Sequence, residues 1–472
     1  MPIEYIIYIP IALLLTIYFL AKAKNRAFVT LFNLWLFGSP VFSNPKYVIT
    51  LSFFGFDIQP NRLLFLVLTP ILVLTIITPH RRGNLEDSQQ PRRFPVFELA
   101  MIGYILTVIF TIGLNFRAIG ARSAIADITN SIAFVVVYFC AFKFLGKDDF
   151  YLIKTSFLIF AVMSVIVALY QFLVNPDFFR LGVVRDVFAG YYRANGLFSA
   201  EYDQGLFLTL SMIVVMSMSF RLWMKMGLIA IFLAGGFVTM HRLSWIAMII
   251  ALGLIWFLYL KTDMIIYITV PLLLLLLLFG AINTPWSKMA IGQFGEKLIA
   301  DRVLSDTLSI RISQYKFSFF MMQQYPLGIG DYSTSLYLQK AYNHGLTYGG
   351  RPWNSTQMTA YIIHNGFLSA GVRYGIFGMF LYSLFLLTSL YEFLKNSIQK
   401  GKDWYPLLMI VVIFLIFNAT NDFSFLGNQI GVILAWLLGG YLSQVKHHYV
   451  SEPIIQPLVT NSLNHRVIDH AH

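Results

Sequence analysis

Long apolar runs broken by short polar connectors repeat along the whole chain, and most reach about 20 residues, the length a helix needs to cross a bilayer. Inside lipid every backbone N–H and C=O must be satisfied within the segment, so runs of this kind are helices. The pattern predicts spans near 4–21, 27–43, 62–78, 95–115, 127–145, 151–174, 201–220, 224–241, 243–260, 264–282, 364–394, 405–420 and 426–444, thirteen in all. The 27–43 run is short enough to be re-entrant, so the count lies between twelve and fourteen. The first run follows Met-Pro-Ile-Glu with no basic segment before it, and reads as a retained span. Residues 1–445 form one integral membrane domain with one large loop at 283–363; residues 446–472 read as a disordered cytoplasmic tail.

The connectors "AKAKNR", "PHRRGNLEDSQQPRRF", "KFLGKDD", "FRLWMK" and "LKNSIQKGKDW" are short and basic, which assigns them to the cytoplasm. Their alternates, including 175–200 and 283–363, then face outward. Composition agrees with a membrane protein: 58% of residues are hydrophobic, 12% are charged, and the mean hydropathy is +0.69. Charge adds something topology does not. On this layout the cytoplasmic side holds 7 Arg and 11 Lys, the outer side 11 Arg and 5 Lys. An outer face rich in arginine suits bidentate contact with an anion such as phosphate. The basic residues are scattered among connectors, which excludes a nucleic-acid interface. The single Cys140 lies in an apolar run and offers no disulfide framework.

Candidate chemistry gathers on the outer side. "MHRLSW" puts His241 and Arg242 where one span ends and the next begins, a place where an arginine either snorkels or meets a lipid-borne phosphate. "SIRISQYKFSFFMMQQYPLGIGD" predicts an amphipathic helix over 308–324, stopped by Pro326, with Arg311, Tyr315, Ser318 and Met322 on one face. Its adjoining strip of Phe317, Phe320 and Met321 rests on the bilayer or on other helices. The "PLGIGD" turn lacks the lysine of a phosphate loop. "RANGLFSAEYD" sets Arg193, Glu201 and Asp203 at one span end, where the acids neutralise neighbouring arginines. Asn421 and Asp422 lie on the hairpin between the last two spans. His364 and Asn365 open a span in which Gly371-x3-Gly375 allows close helix approach. A histidine at the positive end of a helix dipole is held neutral and can accept a proton. No outer-loop set has metal-ligand spacing; the adjacent Asp148 and Asp149 are cytoplasmic, and the tail histidines are not a metal site.

An arginine opening a span in "HRLSWIAMIIALGL", then Arg311-x3-Tyr315 and "YPLGIG" in the large loop, then "HNGFLSAGVRYGIFG" opening the next span, occur in an order that resembles the O-antigen ligase and O-antigen polymerase superfamily of bacterial polysaccharide glycosyltransferases. The resemblance runs over roughly 190–390. It departs at "MHRLSW", where many members have Ser-Arg-Gly. The resemblance implies an all-α, polytopic, GT-C-like fold in the bacterial inner membrane, with the active site facing the periplasm. It implies a glycan donor on undecaprenyl diphosphate and an acceptor that is a lipid-linked repeat unit or lipid A–core. Neither metal nor cofactor is expected. His364 takes the catalytic position; Arg242, Arg311, Asn365, Arg193, Tyr315 and Asp422 take diphosphate- or substrate-binding positions. The segment from His364 to Gly378 is closer to polymerases than to ligases, and a polymerase implies a chain-length regulator as partner. A polysaccharide-lipid transporter is the distant alternative, disfavoured because no second half of the chain mirrors the outer loop.

Overall fold

The structure is a computed structural model that describes residues 3–42, 95–180, 191–260, 307–331, 335–344, 363–420 and 429–451, with short strand pairs between 51 and 58, 186 and 192, and 347 and 352. The described chain is almost entirely helical: α1 (Ile3–Lys22), α2 (Arg26–Phe42), α3 (Val96–Leu114), α4 (Ala121–Phe144), α5 (Lys147–Leu173), α6 (Glu201–Met216), α7 (Leu222–Phe237), α8 (Arg242–Ile255), α9 (Thr307–Gln324), α10 (Ser335–Asn343), α11 (Gly366–Lys400), α12 (Tyr405–Thr420) and α13 (Gln429–Ser451). Among the described residues, seven helices are long and apolar enough to cross a membrane, and α7 and α13 are shorter apolar helices. The fold is that of an all-α polytopic membrane protein. Eleven of the thirteen predicted spans coincide with helices; those at 62–78 and 264–282 lie outside the described residues. The last helix continues to Ser451, past the predicted start of the tail at 446.

The helix α6 is the centre of the bundle. Every residue from Asp203 to Met216 is buried, as expected of a helix apolar on all sides, and it packs against α5, α7, α8, α12 and α13. Around it, α11 lies along α3 and α13 along α4. Polar side chains tie neighbours together where lipid offers no alternative partner: Tyr8 Oη donates to Phe37 O at 2.7 Å, Tyr138 Oη to Glu98 Oε1 at 2.7 Å and Ser443 Oγ to Leu145 O at 2.8 Å. Asp148 and Asp149 are structural. The first pairs with Lys24 at 2.6 Å, and the second accepts the backbone N–H groups of Lys24 and Asn25 at 2.9 and 3.1 Å, joining the α1–α2 connector to the start of α5.

The predicted span beginning at His364 is not one straight rod. Thirty-five helical residues would reach about 52 Å, well beyond a ~30 Å hydrocarbon core. The helix is broken at Gly375, which has φ 79° and ψ 178°. The break strands backbone groups, and the 326–331 turn satisfies them. Ile329 N donates to Val372 O at 3.1 Å and Gly330 N to Arg373 O at 2.7 Å, while Ile376 N donates to Pro326 O at 2.9 Å. Gly375 therefore receives a loop, not the neighbouring helix that its spacing suggests: a Cβ there would sit 2.3 Å from Pro326 O. Arg373 is fixed beside this junction by Asp127 of α4 at 3.1 Å. Gly375→Ala adds a left-handed backbone cost of about 1–3 kcal/mol to an overpacking cost of similar size. Its melting temperature in detergent is expected to fall clearly below that of the wild type.

Candidate active site

Four helix starts meet at the end of the bundle opposite the basic connectors: those of α6, α8, α9 and α11. The strand-poor segment before α6 is the first wall. Gln171 Oε1 accepts Asn195 N and Gly196 N at 3.0 and 2.9 Å, and Ser164 Oγ accepts Leu197 N at 3.0 Å. Arg180 Nη2 donates to Arg193 O at 2.6 Å. This lattice fixes Arg193, whose Nη1 pairs with Glu201 Oε1 at 2.8 Å. The expected neutralisation of an arginine is therefore present for Glu201; the pKa of the Asp203 carboxyl is instead raised to about 8, first by burial and then by the charge of Glu201. Arg193 Nε is buried and has no hydrogen-bond partner among the described residues.

The second wall is the α7–α8 turn. Met240 is held at φ 50°, a left-handed value uncommon for a non-glycine residue. Thr239 supports the bend, donating from Oγ1 to Gly236 O at 2.7 Å and accepting His241 N at 3.3 Å. His241 then stands just before α8 without capping a backbone N–H, and shares a hydrogen bond of 2.8 Å between Nδ1 and Ser244 Oγ. The helices α6 and α8 press together here, because Gly205 leaves room for Ser244; a Cβ on Gly205 would lie 1.9 Å from Ser244 Oγ. Burial pulls His241 down to about 4; Glu201 opposes the fall, while Arg193 and Arg311 add to it. The charges of Glu201, Arg193 and Arg311 thus all reach His241. Arg242 stands exposed in the first turn of α8, where the positive end of the helix dipole disfavours a cation and favours an anion.

The third wall is α9. Its apolar strip packs on protein and not on lipid: Phe317, Met321 and Met322 are buried with Tyr337 of α10 and Ile363 and Val372 beside and within α11. Ser318 is buried as well, with its Oγ bonded to Gln314 O at 2.7 Å. Arg311 and Tyr315 stay half-exposed one turn apart on this helix. Gln314 Oε1 accepts His364 N at 3.3 Å and so ties α9 to the fourth wall.

That wall is the start of α11. Asn365 is its cap: Oδ1 accepts Phe367 N and Leu368 N at 3.1 and 3.0 Å, and Nδ2 donates to Ala419 O at the end of α12 at 3.1 Å. The side chain expected to touch substrate is engaged in holding the helix mouth. His364 precedes the cap with an exposed face. Its pKa lies below the ordinary histidine value, through partial burial and then the positive charge of Arg311. The neutrality anticipated from the helix dipole is present, with burial and Arg311 as its causes. Because His364 titrates below its usual 6.5, its ring stays a proton acceptor at neutral pH and is lost only as pH falls through that lowered value. Activity limited by this group is expected to be level across neutral pH and to drop only on the acid side of 6.5.

Of the sequence-predicted residues, Arg193, Arg242, Arg311, Tyr315, His364 and Asn365 are on these four starts, and the charge of Arg311 acts on both histidines. Asp422 lies outside the described residues. His241 and Gln314 gain importance only from the structure. Among the described residues no group of three His, Cys, Asp or Glu is arranged to hold a metal.

Residues 227–383 match a family model described as O-antigen ligase. This match supports the O-antigen ligase and polymerase superfamily. It runs from α7 through the kinked α11 and contains Arg242, Arg311, Tyr315, His364 and Asn365. No curated protein matches the chain. The superfamily implies a glycosyltransferase-like membrane enzyme that handles lipid-linked glycans.

Proposed function

We propose that the chain is a surface-polysaccharide polymerase of the bacterial inner membrane, joining undecaprenyl-diphosphate-linked repeat units on the periplasmic face. The carrying observation is that a neutral, partly exposed histidine, His364, stands within the electrostatic reach of Arg311, at the end of the bundle away from the basic connectors. In this reading an acceptor hydroxyl gives its proton to His364 as its oxygen attacks the anomeric carbon. The bond from that carbon to the diphosphate breaks, and undecaprenyl diphosphate leaves with the electron pair. Attack opposite the leaving group inverts the anomeric centre. Arg242 and Arg311 stabilise the charge growing on the diphosphate, the task a metal ion performs in many other transferases. Arg193, already paired with Glu201, shapes the positive wall, and Tyr315 is placed to hydrogen-bond a sugar.

The description of the matched family favours a second reading, a ligase that moves the glycan to lipid A–core. Glycolipid gels of cells lacking the gene separate the two. Core carrying a single repeat identifies the polymerase. Bare core with polymer stranded on undecaprenyl diphosphate identifies the ligase. An unaltered ladder removes both.

A further inference from the structure

At the basic end of the bundle, away from His364, a cavity of about 710 Å³ lies among the ends of α5, α6, α12 and α13 and the turn after α8. Three of its lining residues are lysines, Lys147, Lys154 and Lys402, against one carboxylate, Asp403. The nearby acids are committed elsewhere, since Asp148 is paired with Lys24 and Asp149 holds the α1–α2 connector. Lys154 is half-buried, 3.5 Å from Ser217 Oγ and over the rings of Phe150 and Tyr441 at 5.2 and 5.6 Å. The charges that act on it, Lys147 and Lys225, are of its own sign.

Two further lining groups lack what they need. Tyr259 Oη and Gln444 Nε2 are closed from solvent and have no hydrogen-bond partner among the described residues. A buried donor left unpaired costs about 1–3 kcal/mol, more beside an uncompensated charge. Cations and donors converging on one space, with a deficit of acceptors, define a site for a multi-oxygen anion. Snorkelling alone would place the Lys154 ammonium favourably, but it leaves the hydroxyl of Tyr259 and the amide of Gln444 unexplained.

We propose that this cavity binds a phosphate ester, with Lys147, Lys154 and Lys402 neutralising the phosphate and Tyr259 and Gln444 donating to its oxygens. The position at the span ends and the apolar wall of Phe150, Pro406 and Val445 favour the headgroup of an anionic membrane lipid in the cytoplasmic leaflet. A soluble phosphate ester presents the same chemistry.

Native mass spectrometry of the full chain in detergent distinguishes the sources. The probes are phosphatidylglycerol, phosphatidylcholine with the same tails, and glycerol 3-phosphate. Phosphatidylglycerol is expected to bind about tenfold tighter than phosphatidylcholine, with Lys154→Gln and Tyr259→Phe each losing most of that preference. Tyr259→Phe removes a single oxygen, so its gel-filtration profile should match the wild type. Binding of glycerol 3-phosphate that both variants weaken, with no lipid preference, supports the phosphate site and assigns it to a soluble ester. Equal retention of both lipids, with no variant effect on any probe, overturns the proposal.

Discussion

His364→Ala is expected to lower glycan transfer by about 10²–10⁴-fold, the usual worth of a positioned general base, while the amount of protein in the membrane stays at the wild-type level. The side chain lies outside α11, and the cap is made by Asn365, so its removal leaves the helix start intact. Its backbone N–H, which contacts Gln314, is also retained. The nearby His241 is no substitute, because its Nδ1 is shared with Ser244 and it is less exposed than His364. A rate loss accompanied by a lower melting temperature would indicate a structural role instead. Rate loss at unchanged stability is the expected result, read by initial rates and thermal denaturation of the same preparation.

Arg311 is expected to show the next largest effect, about 10²–10³-fold for Arg311→Lys, comparable with loss of one preorganised donor at a developing anion. Lysine keeps the charge but not the planar fork that engages two phosphate oxygens together. The pair Arg311→Lys and Arg311→Gln separates geometry from charge. With lysine, the positive charge beside His364 remains, and the acid limb of the pH profile should not move. With glutamine, that charge is gone, the His364 pKa rises toward its ordinary value, and the acid limb moves to higher pH. Initial rates measured between pH 5 and 8 read both effects.

Span positions were legible because long apolar runs have one solution in lipid; the predicted 151–174 and 405–420 segments match α5 and α12 closely. The break in α11 was not. A glycine spaced four from another reads the same whether it admits a helix or turns the chain left-handed. What decides it at Gly375 is a loop about fifty residues earlier that donates to Val372 O and Arg373 O. The site divides along the same line. Arg311 and His364 were visible through local spacing, and the pairing of Glu201 with Arg193 through their shared connector. His241 read as a neighbour of Arg242, because Glu201, Arg193 and Arg311 reach it from two other elements. Asn365 read as a substrate contact although its place before an apolar helix is also that of a cap, and the structure makes the cap.

In the proposed reaction this chain itself moves a glycan off a lipid diphosphate at His364. The direct test is purified protein with a lipid-linked repeat unit and chelator present, following glycan lengthening and undecaprenyl diphosphate release together, with His364→Ala alongside. That reaction gives equal growth of both products in the wild type and near silence in the variant. Wild-type release and lengthening by His364→Ala would contradict it.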